Sequence, residues 1–442
     1  MAFVLIALLV LLCIAPLFWR AGRTDVLSPD ILVGLLVFGF VVVRVVWIVS
    51  VEYQDVLGFE ATPLAVRRES LQSALVVVLL GLASFHAAYF MSSRWPQPRL
   101  PHFGVQWQGT SATLIGLAYV GVGIASTLYL FTAIGSPRFI LSHQYLISEI
   151  VGDHGAIYSG VQFLALGFLV LLVPQRHGRL PAICAGAIAL VVFTIIGRRW
   201  SLLVLILPVV VMFHFRVRAV RRLHLVVGFV ALAIVFNAAY MLRFAGSRIS
   251  DIGQLAEYGS ALWKKGYLAA IMARGGEFKL FDMIMLGTRD YPTWRDYEFG
   301  RSILDAPLSV IPRSIYPDKA ISYDVILAAR LVPGRTAGLP AMSFGRLYMD
   351  LGLVGVVVGM ALLGVLSSLA HGYSQRYREE PATPILYSIF LLFLLDYIRV
   401  ADYSRTFFVF LRLLIPVAIA CYLSTRSPSG RWRRQYALVK SS

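Results

Sequence analysis

Stretches without a single charge recur along nearly the whole chain; LVLILPVVVMF at 203–213 and VVVGMALLGVL at 356–366 are two of them. A helix crossing the hydrocarbon core of a bilayer needs about twenty mainly apolar residues. Of 442 residues, 58% are hydrophobic and only 14% are charged, too little polar surface to keep a soluble fold of this length in solution. A spanning segment must satisfy its own backbone polar groups, so each run is expected to be helical. The expected fold class is all-α, a polytopic membrane protein with about eleven transmembrane helices. The spans fall at 3–19, 31–51, 71–91, 111–135, 157–174, 180–196, 200–215, 223–242, 347–370, 383–398 and 406–423. No basic region precedes the first run, so 3–19 reads as a retained span rather than a cleaved signal.

The net charge of +17 would suit nucleic acid in a soluble protein. In a membrane protein the same charge gathers in cytoplasmic loops and near anionic headgroups, so no nucleic-acid partner is expected and the bilayer itself is the first partner. One set of alternate short loops, at 20–23, 94–99, 176–179, 216–222 and 376–378, together with the tail after 423, carries 17 Lys and Arg residues. The other set carries 7: Arg67, Arg68, Arg138, Arg198, Arg199, Arg399 and Arg405. The first set is expected in the cytoplasm, the N-terminus outside and the C-terminus inside. The chain then divides into N-terminal transmembrane helices (1–242), a large outer loop (243–346), C-terminal transmembrane helices (347–423) and a basic tail (424–442). About a hundred residues is too long for a structureless connection. Leu255, Tyr258 and Leu262 at helical spacing, followed by Pro307, Pro312, Pro317, Pro333 and Pro340, predict short helices and then an irregular segment over the spans.

Familiar catalytic signatures are missing. There is no GxxxxGK[ST] loop and no HExxH, and Cys13, Cys184 and Cys421 form no ligand-spaced cluster. His143, Glu149, Asp153 and His154 share one outer loop, where solvated residues are the better reading than a divalent site. No cofactor and no metal are expected. Arginine is more informative. Arg198 and Arg199 sit between two apolar runs, against the positive-inside pattern, and a guanidinium fork binds phosphate oxygens bidentately; a headgroup anchor is the alternative. In ARGGEFKLFD at 273–282, Arg274, Glu277 and Asp282 lie beside a Gly-Gly turn, where a carboxylate could accept a proton from a sugar hydroxyl; a solvated hinge is the alternative. In IPRSIYPDK at 311–319, two prolines stiffen the backbone around Arg313 and Tyr316, with Lys319 following, which would preorganise a phosphate contact. Arg346, Tyr348 and Asp350 are expected at the mouth of the span that begins near 347, with Gly352, Gly355, Gly359 and Gly364 serving close helix packing. Asp396, Arg399, Asp402 and Arg405 flank the next outer turn, where ionisable groups at membrane depth are functional candidates and Asp–Arg structural pairs are the alternative.

The IPRSIYPDK segment, the RGGEFKLFD stretch and the re-entry G-x-x-Y-x-D-x-G-x-x-G, in a chain of this architecture, resemble the Wzy-type O-antigen polymerases of bacterial inner membranes, which join oligosaccharide repeat units. The likeness is sharp over about 273–364 and architectural elsewhere. It implies a GT-C-like membrane glycosyltransferase on the periplasmic face, with undecaprenyl-diphosphate-linked glycan as both donor and acceptor, and a chain-length regulator as a protein partner. It also implies a reaction without metal or nucleotide sugar. The related O-antigen ligases use arginines and a loop histidine; 243–346 contains no His, so an arginine–carboxylate set would have to serve here. On that reading Arg274, Glu277, Asp282 and Arg313 are the catalytic candidates. Arg198, Arg199, Tyr316, Lys319, Arg346, Tyr348, Arg399 and Arg405 are the substrate-binding candidates. A flippase or transporter for a lipid-linked or anionic solute is the runner-up, with an O-antigen ligase third; no inverted repeat or pair of broken helices in two halves favours transport.

Overall fold

The computed structural model describes residues 2–19, 25–50, 68–95, 109–136, 160–173, 179–196, 199–224, 279–293, 296–308 and 338–425, with a few shorter pieces between them. Among the described residues the chain is helical, with no strand. In chain order the helices are α1 (Ala2–Trp19), α2 (Pro29–Val37), a π-helical turn (Phe38–Val42), α3 (Val43–Ser50), α4 (Arg68–Ser92), α5 (Gly109–Ile134), α6 (Phe163–Leu171) and α7 (Arg179–Ile196). They continue as α8 (Arg199–Arg216), α9 (Lys279–Asp290), α10 (Arg301–Leu308), α11 (Met342–Arg376), α12 (Thr383–Val400) and α13 (Tyr403–Thr425).

Among the described residues, six segments are long and apolar enough to cross a membrane: Pro29–Val49, Ser70–Ser92, Ser111–Ile134, Met342–Arg376, Thr383–Val400 and Thr406–Leu423. Three more, Ala2–Phe18, Leu180–Ile196 and Trp200–Arg216, are apolar but shorter. The expected span 157–174 contains the nine-residue α6, and the expected span 223–242 lies almost wholly outside the described residues. Large side chains such as Val354, Leu362, Leu180 and Ile183 point outward from these helices, as lipid-facing side chains do.

The chain forms two compact units. One comprises Met1–Leu100, Phe213–Arg376 and Tyr387–Leu411; the other comprises Pro101–Met212, Tyr377–Leu386 and Arg412–Ser442. In the second unit, α5 and α6 approach closely because glycines meet at the crossing. A Cβ added at Gly167 would lie 2.7 Å from the Gly116 carbonyl oxygen. The Tyr119 hydroxyl donates to the Pro416 carbonyl at 2.8 Å, tying α5 to α13.

The first unit is built on α11. Its helix breaks at Leu351 (φ −143°) and Gly352 (φ +64°, ψ −153°), a backbone region that only glycine enters at low cost. The short arm 342–350 therefore folds back on the long arm. Gly355 accommodates the Leu347 carbonyl oxygen, 2.5 Å from where a Cβ would stand, and Gly359 accommodates the Leu347 side chain. These two glycines seat the helix's own arm rather than a neighbouring helix. Gly364 makes the interhelical approach, lying on the Phe85 carbonyl of α4, and Gly81 of α4 receives Phe344. Around this crossing a single apolar core joins α1, α2, α3, α4, α9 and α11 through residues such as Leu9, Val37, Phe85, Phe281 and Phe344.

Candidate functional site

The break in α11 leaves the carbonyls of its short arm without partners in the next turn. A loop supplies them: the Glu298 amide donates to the Met349 carbonyl at 3.2 Å and the Phe299 amide to the Asp350 carbonyl at 2.8 Å. Tyr297 of this loop covers Gly352 and stacks edge-on to Tyr348 at 6.1 Å between ring centroids. The same arrangement fixes a charged pair. Arg346 and Asp350 are one turn apart on the short arm, with Nε and Oδ2 3.6 Å apart, a Coulombic contact rather than a hydrogen bond. Asp350 is 1% exposed. Its Oδ1 accepts a 2.6 Å hydrogen bond from Ser302 of α10, and its Oδ2 makes no hydrogen bond. The Arg346 guanidinium carbon lies 5.5 Å from the Tyr403 ring centroid, and Tyr403 packs against Tyr397 of α12 at 5.8 Å. Burial pushes the Tyr403 phenol well above the usual range, with Tyr397 and Asp350 adding to the effect and Arg346 opposing it. One turn of α12 contributes a second pair, Asp396 and Arg399, at 3.1 Å. Three non-glycine residues with positive φ, Phe299, Met342 and Ala401, lie on the segments that build this cluster. Backbone strain of this kind persists where surrounding structure holds it, and functional sites are where it concentrates.

A second arginine–carboxylate pair anchors α9 to the membrane helices. Arg44 is the one charged residue in the run ILVGLLVFGFVVVRVVWIV and is fully buried. It donates from Nε to Asp282 Oδ1 at 3.0 Å and from an η nitrogen to Oδ2 at 2.5 Å, a bidentate pair, and its guanidinium lies 4.8 Å from the Trp47 ring centroid. Both carboxylate oxygens of Asp282 are thus engaged by a fixed cation. The geometry suits a strut that docks α9 better than a base that accepts a proton.

Of the residues singled out in the sequence, Arg346, Tyr348 and Asp350 meet in one cluster, with Arg399 at the same end of the first unit. Asp282 belongs to the separate strut, and Tyr316 is exposed. Arg198, Arg274, Glu277, Arg313 and Lys319 lie outside the described residues, as do His143, Glu149, Asp153 and His154. Arg199 and Arg405 lie in the first turns of α8 and α13, with side chains outside the described set. Sequence reasoning passed over Arg44, although a lone charge in an apolar run is itself a signal.

It also passed over a polar cluster about 30 Å from Asp350 along α11. There Asp25 Oδ1 lies 3.0 Å from His214 Nε2, its Oδ2 lies 4.0 Å from His371 Nε2, and Gln375 donates to it as well. The Val220 amide donates to His214 Nδ1 at 3.0 Å, so His214 must carry its proton on Nε2 and donate to Asp25. Tyr387 donates to the Leu27 carbonyl and meets His371 Nδ1, both at 2.9 Å. Burial works to raise the Asp25 carboxyl. The His214 hydrogen bond, the positive charge of His371 when protonated and the Leu27 amide outweigh it and hold the group below the usual carboxylate range. Among the described residues no three His, Cys, Asp or Glu side chains gather as a metal site.

Six long apolar helices among the described residues, and ion pairs buried among them, define the class: a multi-pass α-helical membrane protein. No family model, curated protein or solved structure matches the chain.

Proposed function

We propose that the protein is a membrane glycosyltransferase that polymerises undecaprenyl-diphosphate-linked oligosaccharide repeat units at the periplasmic face of a bacterial inner membrane. In this reading the chain makes eleven spans of GT-C-like architecture, 243–346 is the periplasmic loop, and the Arg346–Asp350 end of the first unit faces the periplasm. One observation carries the reading: a buried carboxylate with one oxygen outside any hydrogen bond stands beside an arginine at a helix break. Those are the two groups that glycosyl transfer from a lipid diphosphate requires. Asp350 Oδ2 accepts the proton of the acceptor sugar hydroxyl as that oxygen bonds to the anomeric carbon of the donor. The anomeric carbon–oxygen bond to the diphosphate breaks, and the growing negative charge is met by Arg346, with Arg274, Arg313 and Arg198 drawn from the sequence reading. Asp350 takes the base role given earlier to Glu277 or Asp282, because Arg44 occupies both oxygens of Asp282. Arginine substitutes for a metal here, since it keeps its charge and binds phosphate bidentately.

Transport of a lipid-linked solute is the second reading, favoured by the broken α11, since discontinuous helices with charged groups at the break form binding sites in transporters. A gel of surface polysaccharide from cells lacking the protein separates the two. Loss of a polymerase leaves single repeat units on the acceptor, whereas loss of a flippase leaves none. Unchanged long chains would exclude both.

A further inference from the structure

Beside the Asp25 cluster, α2, α4 and α11 carry buried polar side chains that the proposed glycosyl transfer does not use. Asp30 lies in the first turn of α2, His86 on α4, and Ser367 and Ser368 on α11; all four are more than nine-tenths buried. Both ring nitrogens of His86, one oxygen of Asp30 and both serine hydroxyls make no hydrogen bond. The serines are the sharper anomaly. A helical Ser or Thr in a membrane span ordinarily satisfies itself by donating to a carbonyl three or four residues back. Ser84, Ser92, Thr127 and Thr194 all do so, to Leu80, Ala88, Gly123 and Leu190, each at 2.7 Å. Ser367 and Ser368 do not. They stand three and four residues after Gly364, which rests on the α4 backbone at Phe85 and Tyr89, so their hydroxyls share the face of α11 that meets α4. His86 is one turn from Tyr89 on the same stretch of α4, and it interacts electrostatically with Asp30. Open polar atoms on three helices that face one another are what a water-holding pocket looks like, because a water needs two to four polar partners and an apolar void offers none.

The geometry points to a hydrated, proton-binding pocket between α2, α4 and α11, with Asp30 and His86 holding the proton and the Asp25–His371 pair at its mouth. The ligand is a proton carried by water rather than a metal ion. Zinc bound by an imidazole nitrogen needs the other ring nitrogen to donate outward. At the mouth, His214 Nδ1 instead accepts the Val220 amide, which commits Nε2 to carrying hydrogen. Inside, one carboxylate and one imidazole are too few ligands for a structural or catalytic metal. They suffice for one proton, which forms an N–H or O–H bond and leaves the pocket one charge more positive. Continuity with the bundle end runs along α11. His371 is one turn beyond Ser367, its ring is 6.4 Å from that of Tyr89, and its two nitrogens face Tyr387 and Asp25. The groups facing Asp25 are His214 from α8, and His371 and Gln375 from α11; Tyr387 of α12 lies within electrostatic reach of Asp25, Asp30 and Tyr89. Intramembrane chains of Asp and His are the usual elements of proton pathways. This assignment is independent of the glycan reading and can fail without it.

Two readouts on the full-length protein test it. With Cys13, Cys184 and Cys421 replaced by Ala, Ser367→Cys and Leu363→Cys are compared in proteoliposomes treated with methanethiosulfonate ethylammonium. Leu363 is buried on the same helix and sits in the apolar core, so it serves as the dry control. The 367 position is expected to react at least about tenfold faster, because only a hydrated thiol ionises and meets a charged reagent. Infrared difference spectra between pH 8 and pH 4 should then contain an imidazole or carboxyl protonation signal that His86→Gln and Asp30→Asn each alter. Equally slow reaction at 363 and 367 would show a dry interior and overturn the pocket. A wet pocket with one and the same infrared difference in wild type, His86→Gln and Asp30→Asn would overturn the proton.

Discussion

The two polar ends of the first unit use the same acid and different bases. At the α11 break, carboxylates stand against arginines, Asp350 with Arg346 and Asp396 with Arg399, and the separate Asp282–Arg44 strut repeats the pairing. At the other end, Asp25 stands against His214 and His371, with Tyr387 completing the set. A guanidinium stays charged at any pH a cell meets, whereas an imidazole changes charge near neutrality. The first end thus presents fixed positive charge, which suits a phosphate-bearing leaving group. The second pairs its carboxylate with imidazole hydrogen bonds, a chemistry that suits a proton rather than an anion. The contrast teaches that polarity inside a membrane protein is not one thing: the partner of the carboxylate sets which chemistry, anion or proton, a cluster is suited to.

The largest break in this comparison should come from Arg44. Removing one partner of a buried bidentate pair leaves the other charge stranded, at a cost of about 3–5 kcal/mol. Arg44→Met is expected to lower the midpoint of thermal unfolding in detergent sharply. The double variant Arg44→Met/Asp282→Leu should recover most of the loss, because apolar replacement of a whole buried pair is often close to neutral. A double variant no better than the single would mean that the pair does more than hold α9 in place.

A smaller effect on folding and a large one on activity are expected at the break itself. Arg346→Lys keeps the charge and the ion pair with Asp350 but loses the planar fork. Chain polymerisation should fall on the order of a hundred- to a thousand-fold while unfolding shifts little. The same outcome is expected for Arg313→Lys and Arg198→Lys, measured as polymer length on a gel. Wild-type polymer from all three would make Arg198 and Arg313 headgroup anchors and Arg346 a structural partner of Asp350.

Gly352→Ala comes next. Its φ of +64° and the Tyr297 ring 3.2 Å from an added Cβ make any side chain strained there, at about 1–3 kcal/mol. The short arm should loosen, and Ser302, which bonds Asp350, should become more accessible to thiol labelling once changed to Cys. Unchanged labelling would show that the arm is held from elsewhere.

The smallest effect is the pH dependence of the Asp25 end. Its folded carboxyl lies below the unfolded value of about 3.9, so the stability it contributes is fully present above that pH and is lost as pH falls through the folded value. Wild type is expected to lose stability below about pH 4 more steeply than Asp25→Asn, which starts lower and falls less. Parallel curves would remove Asp25 from the account of acid unfolding.

Much of the scaffold was legible in the sequence because hydropathy is a local property. The runs at 31–51, 71–91, 111–135, 347–370, 383–398 and 406–423 each fall on a helix long enough to cross. The grouping of Arg346, Tyr348 and Asp350 was legible too, since one turn of helix brings such neighbours together. What escaped were pairings across long sequence separation. Asp282 looked like a loop carboxylate beside Glu277, but its partner is 238 residues away in a span. His214, His371 and Asp25 are unremarkable one at a time, and only the packing of α8, α11 and the turn before α2 brings them together. Gly355 and Gly359 matched a helix-pairing pattern. The break at Gly352, which turns them toward Leu347, depends on a backbone angle that residue type permits but does not announce.

In the proposed mechanism, arginine and a buried carboxylate at the α11 break join lipid-linked sugar units. The most direct measurement is the chain-length distribution made by purified protein in nanodiscs supplied only with undecaprenyl-diphosphate-linked repeat units and EDTA. Wild type should build polymer, and Asp350→Asn and Arg346→Lys should yield almost none while remaining folded. Polymer of normal length from both variants would contradict the claim, as would wild-type protein that builds polymer only when EDTA is replaced by magnesium or manganese.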